Sequence, residues 1–327
     1  MTSDREKKFE RNNIEKVLME NFINLMPSFY EMQSAFLSGI YKRYGDLEGG
    51  NIVIFFARDL HLEILRKREE DLTFDLSLDN FWNNHKNISQ SKKRIIHISK
   101  NTGLPKETTR RKLMDLIKKK HIKKTEKNKI FWEPVSEHKD SYIKIIEEQI
   151  SSLSKYFYEQ GKFLNLNLSY VKIQKEIKNS YSFFWYHYLN FQLEYMKFWQ
   201  EKLKDLEMLL IGLQSQIQTI RFIGRKTSGD FNSFFLNKIP KNINIQDANI
   251  SATSIAEITG IPRATCIRKL EKFVKLKFLE KDKVSKRYHL LIGQLNSNPS
   301  IPATEGMRNT IHIFSKFSSV VLKGLSG

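Results

Sequence analysis

Two stretches of this chain are copies of one another. "ISKNTGLPKETTRRKLMDLIKKKHIKK" runs from Ile98 to Lys124, and "IAEITGIPRATCIRKLEKFVKLKFLEK" runs from Ile255 to Lys281. They align without a gap at an offset of 157 residues. Between Ile98–Trp132 and Ile255–His289, 12 of 35 positions are identical, among them Gly103, Pro105, Thr108, Arg111, Lys112 and Lys129. Chance similarity does not hold its register across turn, helix and strand, so the pair reads as a duplicated module. A repeat constrains the fold more than any bulk property: what is built once is built twice within 327 residues. That length has room for about two or three domains with their own cores.

Each copy parses alike. A short helix ends near Lys100, or Glu257 in the second copy. Gly103 and Gly260 supply the positive φ that a tight turn or helix C-cap demands. Pro105 and Pro262 then open a second helix, where a missing N–H costs nothing. In that helix Thr109, Leu113, Leu116 and Ile117 share one face, matched by Cys266, Leu270, Phe273 and Val274. Ile122 and Leu279 each begin a strand. The polar tips "TEKNK" and "DKVSK" follow, then the aromatic strands Ile130-Phe131-Trp132 and Arg287-Tyr288-His289-Leu290.

The charge follows the repeat. Net charge is +19. Lys86–Lys129 holds 16 Lys/Arg against 3 Asp/Glu, a balance of +13, and Lys241–Leu290 holds 11 against 5, a balance of +6. The two windows carry the whole excess. A localised excess of this kind is the footprint of a polyanion-binding surface.

Helix, turn, basic helix and basic hairpin is the order of a winged helix-turn-helix. "TGLPKETTRRKLMDLIKKKHI" and "TGIPRATCIRKLEKFVKLKFL" resemble the DNA-binding modules of MarR- and IclR-type bacterial transcriptional regulators. The resemblance covers residues 92–135 and 249–292, about a quarter of the chain. Those families usually have Gly where His121 and Phe278 stand, and the rest of the chain matches no such regulator, so no effector pocket carries over.

Double-stranded DNA also follows from physical grounds. An α-helix fits the major groove, where residues near its N-terminus reach base edges. Arg bonds guanine bidentately, and Thr bonds a base edge or touches a thymine methyl. Base readout is therefore assigned to Lys106, Thr108, Arg110 and Arg111, and to Arg263, Thr265, Ile267 and Arg268. Phosphate neutralisation is assigned to Lys112 and Lys269 on the helices and to Lys127, Lys129, Lys283, Lys286 and Arg287 in the wings. Copy two is the less basic, with Ile267 for Arg110 and Glu280 for Lys123, which suits a weaker or different half-site.

Outside the modules, Met196, Trp199, Leu203, Leu206, Leu210, Leu213, Ile217 and Ile220 step by alternating threes and fours, a heptad-like seam on one long helix. At the same 157-residue offset, "NIVIFFARDLHLEILRK" is its counterpart, truncated by Gly45, Gly49 and Gly50. The seam either packs within its own domain, joins the two copies, or pairs two chains. Expected boundaries are an N-terminal helical arm over 1–24, repeat one over 25–135 with its winged helix at 86–135, and a connecting helix and linker over 136–182. Repeat two then spans 183–292 with its winged helix at 241–292, followed by a C-terminal loop and helix over 293–327.

Other classes find little support. Eight histidines are scattered without metal-ligand spacing, and phosphate-loop and dinucleotide-binding glycine patterns are missing, so neither an enzyme nor a cofactor or metal is expected. Cys266 is the one cysteine, which excludes an intrachain disulfide and fits a reducing cytoplasm. "MTSDREKKFERNN" lacks an apolar segment behind it, so no secretory signal is expected. "SFFWYHYLNFQLEYMKFW" carries Glu194, Lys197 and His187 and reads as an aromatic helix rather than a membrane span.

The sequence thus predicts a mainly α protein with small β wings: two winged-helix domains joined by long helices in a nucleoid-associated, cytoplasmic DNA-binding regulator. A monomer acting as a pseudo-dimer is favoured, with a homodimer through Met196–Ile220 as the alternative. Two other functions stay open: a plasmid-type replication initiator at repeated origin sites, and a winged-helix protein-interaction scaffold.

Overall fold

A computed structural model of the chain describes residues 8–126, 129–134, 139–227, 229–231, 234, 243–292 and 303–326. Among these residues the protein is mainly helical, with two small two-stranded antiparallel sheets. In the first half, α1 (Arg11–Glu20), α2 (Phe22–Tyr44), α3 (Leu47–Glu70) and α4 (Leu78–Asn84) precede α5 (Ile95–Thr102) and α6 (Lys106–Lys118). The hairpin β1 (Lys123–Lys124) and β2 (Ile130–Phe131) follows, then α7 (Lys139–Phe163). In the second half come α8 (Tyr170–Asn179), α9 (Tyr181–Leu203), α10 (Leu206–Gly224), α11 (Ala252–Thr259) and α12 (Arg263–Lys275). After them come β3 (Leu279–Lys281), β4 (Tyr288–Leu290) and α13 (Ala303–Ser326).

Laid side by side, the halves correspond well beyond the basic modules. Helices α1 and α8, and α2 and α9, match at both ends at an offset of 159 residues, and α3 and α10 start at that same offset. Helices α5 and α11, and α6 and α12, match at 157. The long helices α7 and α13 hold the same place after each hairpin. The repeat therefore takes in α1 and α7, which the boundaries at 25–135 and 183–292 leave out.

The chain packs as two compact units, and neither is a continuous half. Unit I comprises Asp46–Lys162, Leu166–Glu201 and Val320–Gly327; unit II comprises Met1–Gly45, Phe163–Asn165 and Lys202–Ser319. Unit I thus joins α3–α7 of the first repeat to α8 and most of α9 from the second. Unit II joins α1 and α2 of the first repeat to α10–α12 and most of α13 from the second. The exchange follows from which faces are apolar. In unit II, α2 buries Phe22, Met26 and Phe29 completely, and α10 does the same with Leu210 and Ile220. Gln214 Nε2 donates to Ser34 Oγ across the two helices at 2.9 Å, and the Phe29 ring sits 4.5 Å from that of Phe314 in α13. In unit I, Tyr188 of α9 donates to Gln149 Oε1 of α7 at 3.2 Å. His61 of α3 stacks on Phe81 at 4.7 Å and meets Tyr181 edge-on. Burial pushes His61 down to about 3, so it serves the core as a neutral ring.

The seam expected from Met196 to Ile220 is not one helix. It breaks between α9 and α10, where Lys204 takes the left-handed conformation with φ 56° and Asp205 caps the new helix through Glu207 N and Met208 N. The first repeat breaks at the matching place: Gly45 has φ 69°, and Asp46 caps α3 through Glu48 N and Gly49 N. Gly49 and Gly50 do not truncate α3; both lie inside it. A Cβ on Gly49 would stand 3.0 Å from the capping Asp46 Oδ2, yet the second repeat makes the same cap with Met208 at the corresponding position, so the cap itself does not require glycine. All eight seam side chains are buried within the chain, which leaves no exposed seam for a second copy. A homodimer through Met196–Ile220 would have to expose side chains that the chain itself buries.

Candidate nucleic-acid interface

In unit I, α5 ends on Gly103 at φ 73°, whose N–H bonds Ser99 O at 3.0 Å. Gly260 ends α11 of unit II in the same way at φ 77°. Pro105 and Pro262 precede α6 and α12. The inner faces of those helices are buried through Thr109, Leu113 and Leu116, and through Cys266, Leu270 and Phe273. Thr109 Oγ1 is within reach of Pro105 O at 3.0 Å and of Leu104 O at 3.4 Å, and Cys266 Sγ donates to Ile261 O, the counterpart of Leu104 O, at 3.5 Å, so cysteine and threonine share that acceptor position. Burial pushes the Cys266 thiol up to about 11, which keeps it protonated and unreactive near neutrality.

Both helices end in one further shared motif. His121 N bonds Leu116 O at 2.9 Å and Phe278 N bonds Phe273 O at 3.0 Å, each closing a turn around a left-handed residue. That residue is Lys120 (φ 60°) or Lys277 (φ 55°), so the positive φ falls one position before His121 and Phe278. The absence of glycine at those two positions therefore costs the backbone nothing.

The hairpins differ in their third partner. In unit II, Ile250 exchanges two backbone hydrogen bonds with Tyr288, at 2.8 and 2.9 Å, adding a bridge beside β4. In unit I the side chain of Gln90 takes that role: Nε2 donates to Trp132 O at 2.6 Å and Oε1 accepts from Trp132 N at 3.3 Å.

Most of the predicted contact residues lie on the outer faces. Lys106, Arg110, Arg111, Arg263 and Arg268 are exposed, while Thr108, Thr265 and Ile267 are half-buried at the edges of those faces. Arg110 is held by Glu107 at 2.9 Å, and Arg263 Nε donates to Thr253 Oγ1 at 3.0 Å. Among the described residues, no carboxylate pairs with Lys106, Arg111 or Arg268. Lys283, Lys286 and Arg287 are exposed on the 282–287 turn, where Asp282 Oδ1 accepts from the N–H of Val284 and of Ser285. Lys129 is half-buried, and Lys127 lies outside the described residues.

Lys112 and Lys269 are not phosphate anchors. Lys269 Nζ lies 2.5 Å from Asp205 Oδ2 and 2.9 Å from Glu207 Oε2, with only 7% of its side chain exposed. Lys112 Nζ repeats the arrangement at 2.6 Å from Asp46 Oδ2 and 3.4 Å from Glu48 Oε2, with 23% exposed. Burial pulls the Lys112 ammonium down, but the hydrogen bonds and charges of Asp46 and Glu48 outweigh it and hold the group above the ordinary lysine value. Each lysine thus pins a basic helix, α6 or α12, to the capped end of a long helix, α3 or α10. The motif is readable as Asp46-Leu47-Glu48 and Asp205-Leu206-Glu207, but only at an offset of 159, which the 157-residue register conceals. Lys269→Met is expected to destabilise unit II by about 3 kcal/mol, since it strands two carboxylates. The more exposed Lys112→Met should cost unit I about 1.5 kcal/mol. Urea titration checks the order.

Unit I also holds an open groove of about 630 Å3 between α4, α7 and α8, lined by Trp82, Ile143, Val171 and Lys175 among others. No helix among the described residues is long and apolar enough to cross a membrane. Comparison with known proteins gives no match: no family model fits the chain, and neither a curated protein nor a solved structure is significantly similar to it.

Proposed function

We propose that the two helix-turn-helix-hairpin elements are winged-helix modules and that this chain binds double-stranded DNA sequence-specifically as a transcriptional regulator. The observation that carries the reading is the recurrence of one exposed basic helix in both units. Arg111 and Arg268 stand at the same position, exposed and without a carboxylate partner among the described residues. An exposed helix of this kind fits the major groove, and an unpaired guanidinium near its N-terminal half is free to bond guanine. Lys129, Lys283, Lys286 and Arg287 serve the backbone. One chain supplies both modules, so it acts as a monomeric pseudo-dimer on an asymmetric site, with no need of a second subunit.

The test is selection of bound duplexes from a random library, followed by variants on the selected site. Arg111→Ala and Arg268→Ala are each expected to lower discrimination between selected and random duplex by roughly 1–3 kcal/mol. Lys129→Ala should weaken binding to both alike. If all three variants behave identically, the division between base readers and phosphate anchors is wrong.

A further inference from the structure

Unit II orients an arginine for which unit I has no equivalent. Arg263 opens α12, and its Nε donates to Thr253 Oγ1 of α11 at 3.0 Å. That bond fixes the plane of the guanidinium and leaves both Nη groups without a partner among the described residues. Thr253 and Arg263 are exposed, so the free end of the fork is open to an incoming molecule. Unit I is built otherwise at both positions. Ile96 stands for Thr253, 55% exposed and with no acceptor to offer, and Lys106 stands for Arg263. A lysine ammonium is a point charge with no plane to fix. Arg110, one turn further along α6, does not replace the missing fork, because Glu107 Oε2 takes its Nε and Nη2 at 3.1 and 2.9 Å.

We infer that Thr253 is a positioning residue, which aims Arg263 so that unit II demands a guanine that unit I does not. This rests on the DNA-binding reading above and deepens it. Two parallel N–H groups of one arginine match O6 and N7 of guanine in the major groove. Residues at the N-terminus of a recognition helix are those that reach base edges. Thr253 makes the match exclusive. An arginine free to turn swings to a neighbouring phosphate when the base is wrong, and so recovers part of what it loses. An arginine held through Nε stays in place and is left unpaired against adenine, so the penalty for the wrong base is kept. The bond also orders the side chain before DNA arrives, which lowers the cost of ordering it on binding. Arg111 and Arg268 supply the contact common to both half-sites, and Arg263 adds one to unit II alone.

The experiment replaces each guanine of the selected duplex in turn by 7-deazaguanine, which lacks the N7 acceptor, and follows binding of the full chain by fluorescence anisotropy. At one guanine the wild type is expected to lose about tenfold in affinity, while Arg263→Lys and Thr253→Ile lose less than about twofold there and keep their response at the other guanines. Thr253→Ser retains the acceptor and should behave as wild type. Both threonine and isoleucine are β-branched, and α5 already carries Ile96 at this place, so Thr253→Ile suits the helix. The converse change, Ile96→Thr with Lys106→Arg, should make a fresh selection acquire a guanine in the other half-site, a gain that misfolding does not produce. A 7-deazaguanine response that is the same in wild type and Thr253→Ile overturns the inference while leaving DNA binding standing. So does equal weakening by Thr253→Ile on selected and random duplex, which would place Arg263 on a phosphate, and so does a converse variant that selects no new guanine. If the wild type binds no duplex at all, the DNA-binding reading fails and the inference falls with it.

Discussion

Raising salt from roughly 50 to 200 mM is expected to weaken duplex binding by on the order of a thousandfold or more. The size follows from counting cations that the fold leaves available. Lys118, Lys120, Lys124 and Lys129 in unit I, and Lys272, Lys283, Lys286 and Arg287 in unit II, have no carboxylate partner among the described residues and are not among the proposed base readers. If about six to eight such groups reach phosphates, the released counterions give a log–log slope of roughly −5 to −7. Lys112, Lys269, Lys119 and Lys281 are left out because each is held by a carboxylate within 2.8 Å. Equilibrium titration across that salt range is the check. A flat dependence would remove the electrostatic basis of the proposed function, whatever partner the basic helices serve.

The second large effect concerns the exchange of helices between the repeats. Phe29 belongs to the first repeat by sequence but to unit II by packing, fully buried beside Phe314. Phe29→Ala should therefore destabilise the second module by about 3–5 kcal/mol, a large fraction of a domain's margin. Hydrogen exchange by mass spectrometry is expected to speed up across α11 and α12 and to leave α5 and α6 close to wild type. Faster exchange in α5 and α6 instead would mean that α2 stabilises the module of its own repeat. The consequence for function is that the N-terminal helices, far from Arg268 in sequence, set how firmly its helix is presented.

The parts of this arrangement legible in the sequence are those with local signals. Gly103 and Gly260 marked the turns because a left-handed residue there favours glycine. The buried threes and fours of α6 and α12 marked their inner faces. The break at Lys204 had no such mark: its counterpart is Gly45, but lysine gives no hint of positive φ, so the apolar spacing ran through it. The exchange of α2 and α9 between units was hidden for a different reason. An apolar face states that it will be covered without stating by which element, and both repeats offer equivalent faces. Lys112 and Lys269 were misread because identity in two copies marks shared use of either kind, in an ion pair or on a phosphate. The carboxylates that decide it, Asp46 and Asp205, lie 66 and 64 residues away.

The central claim is that one chain presents two DNA-binding modules to one site. Its most direct test is the mass of the complex formed at micromolar protein with a single selected duplex of about two to three helical turns, by native mass spectrometry alongside footprinting. The predicted result is a free chain of 38.7 kDa and a complex of one chain per duplex, with two protected segments of unequal strength. A stable dimer without DNA, or two chains per duplex with each protecting one segment, would contradict it.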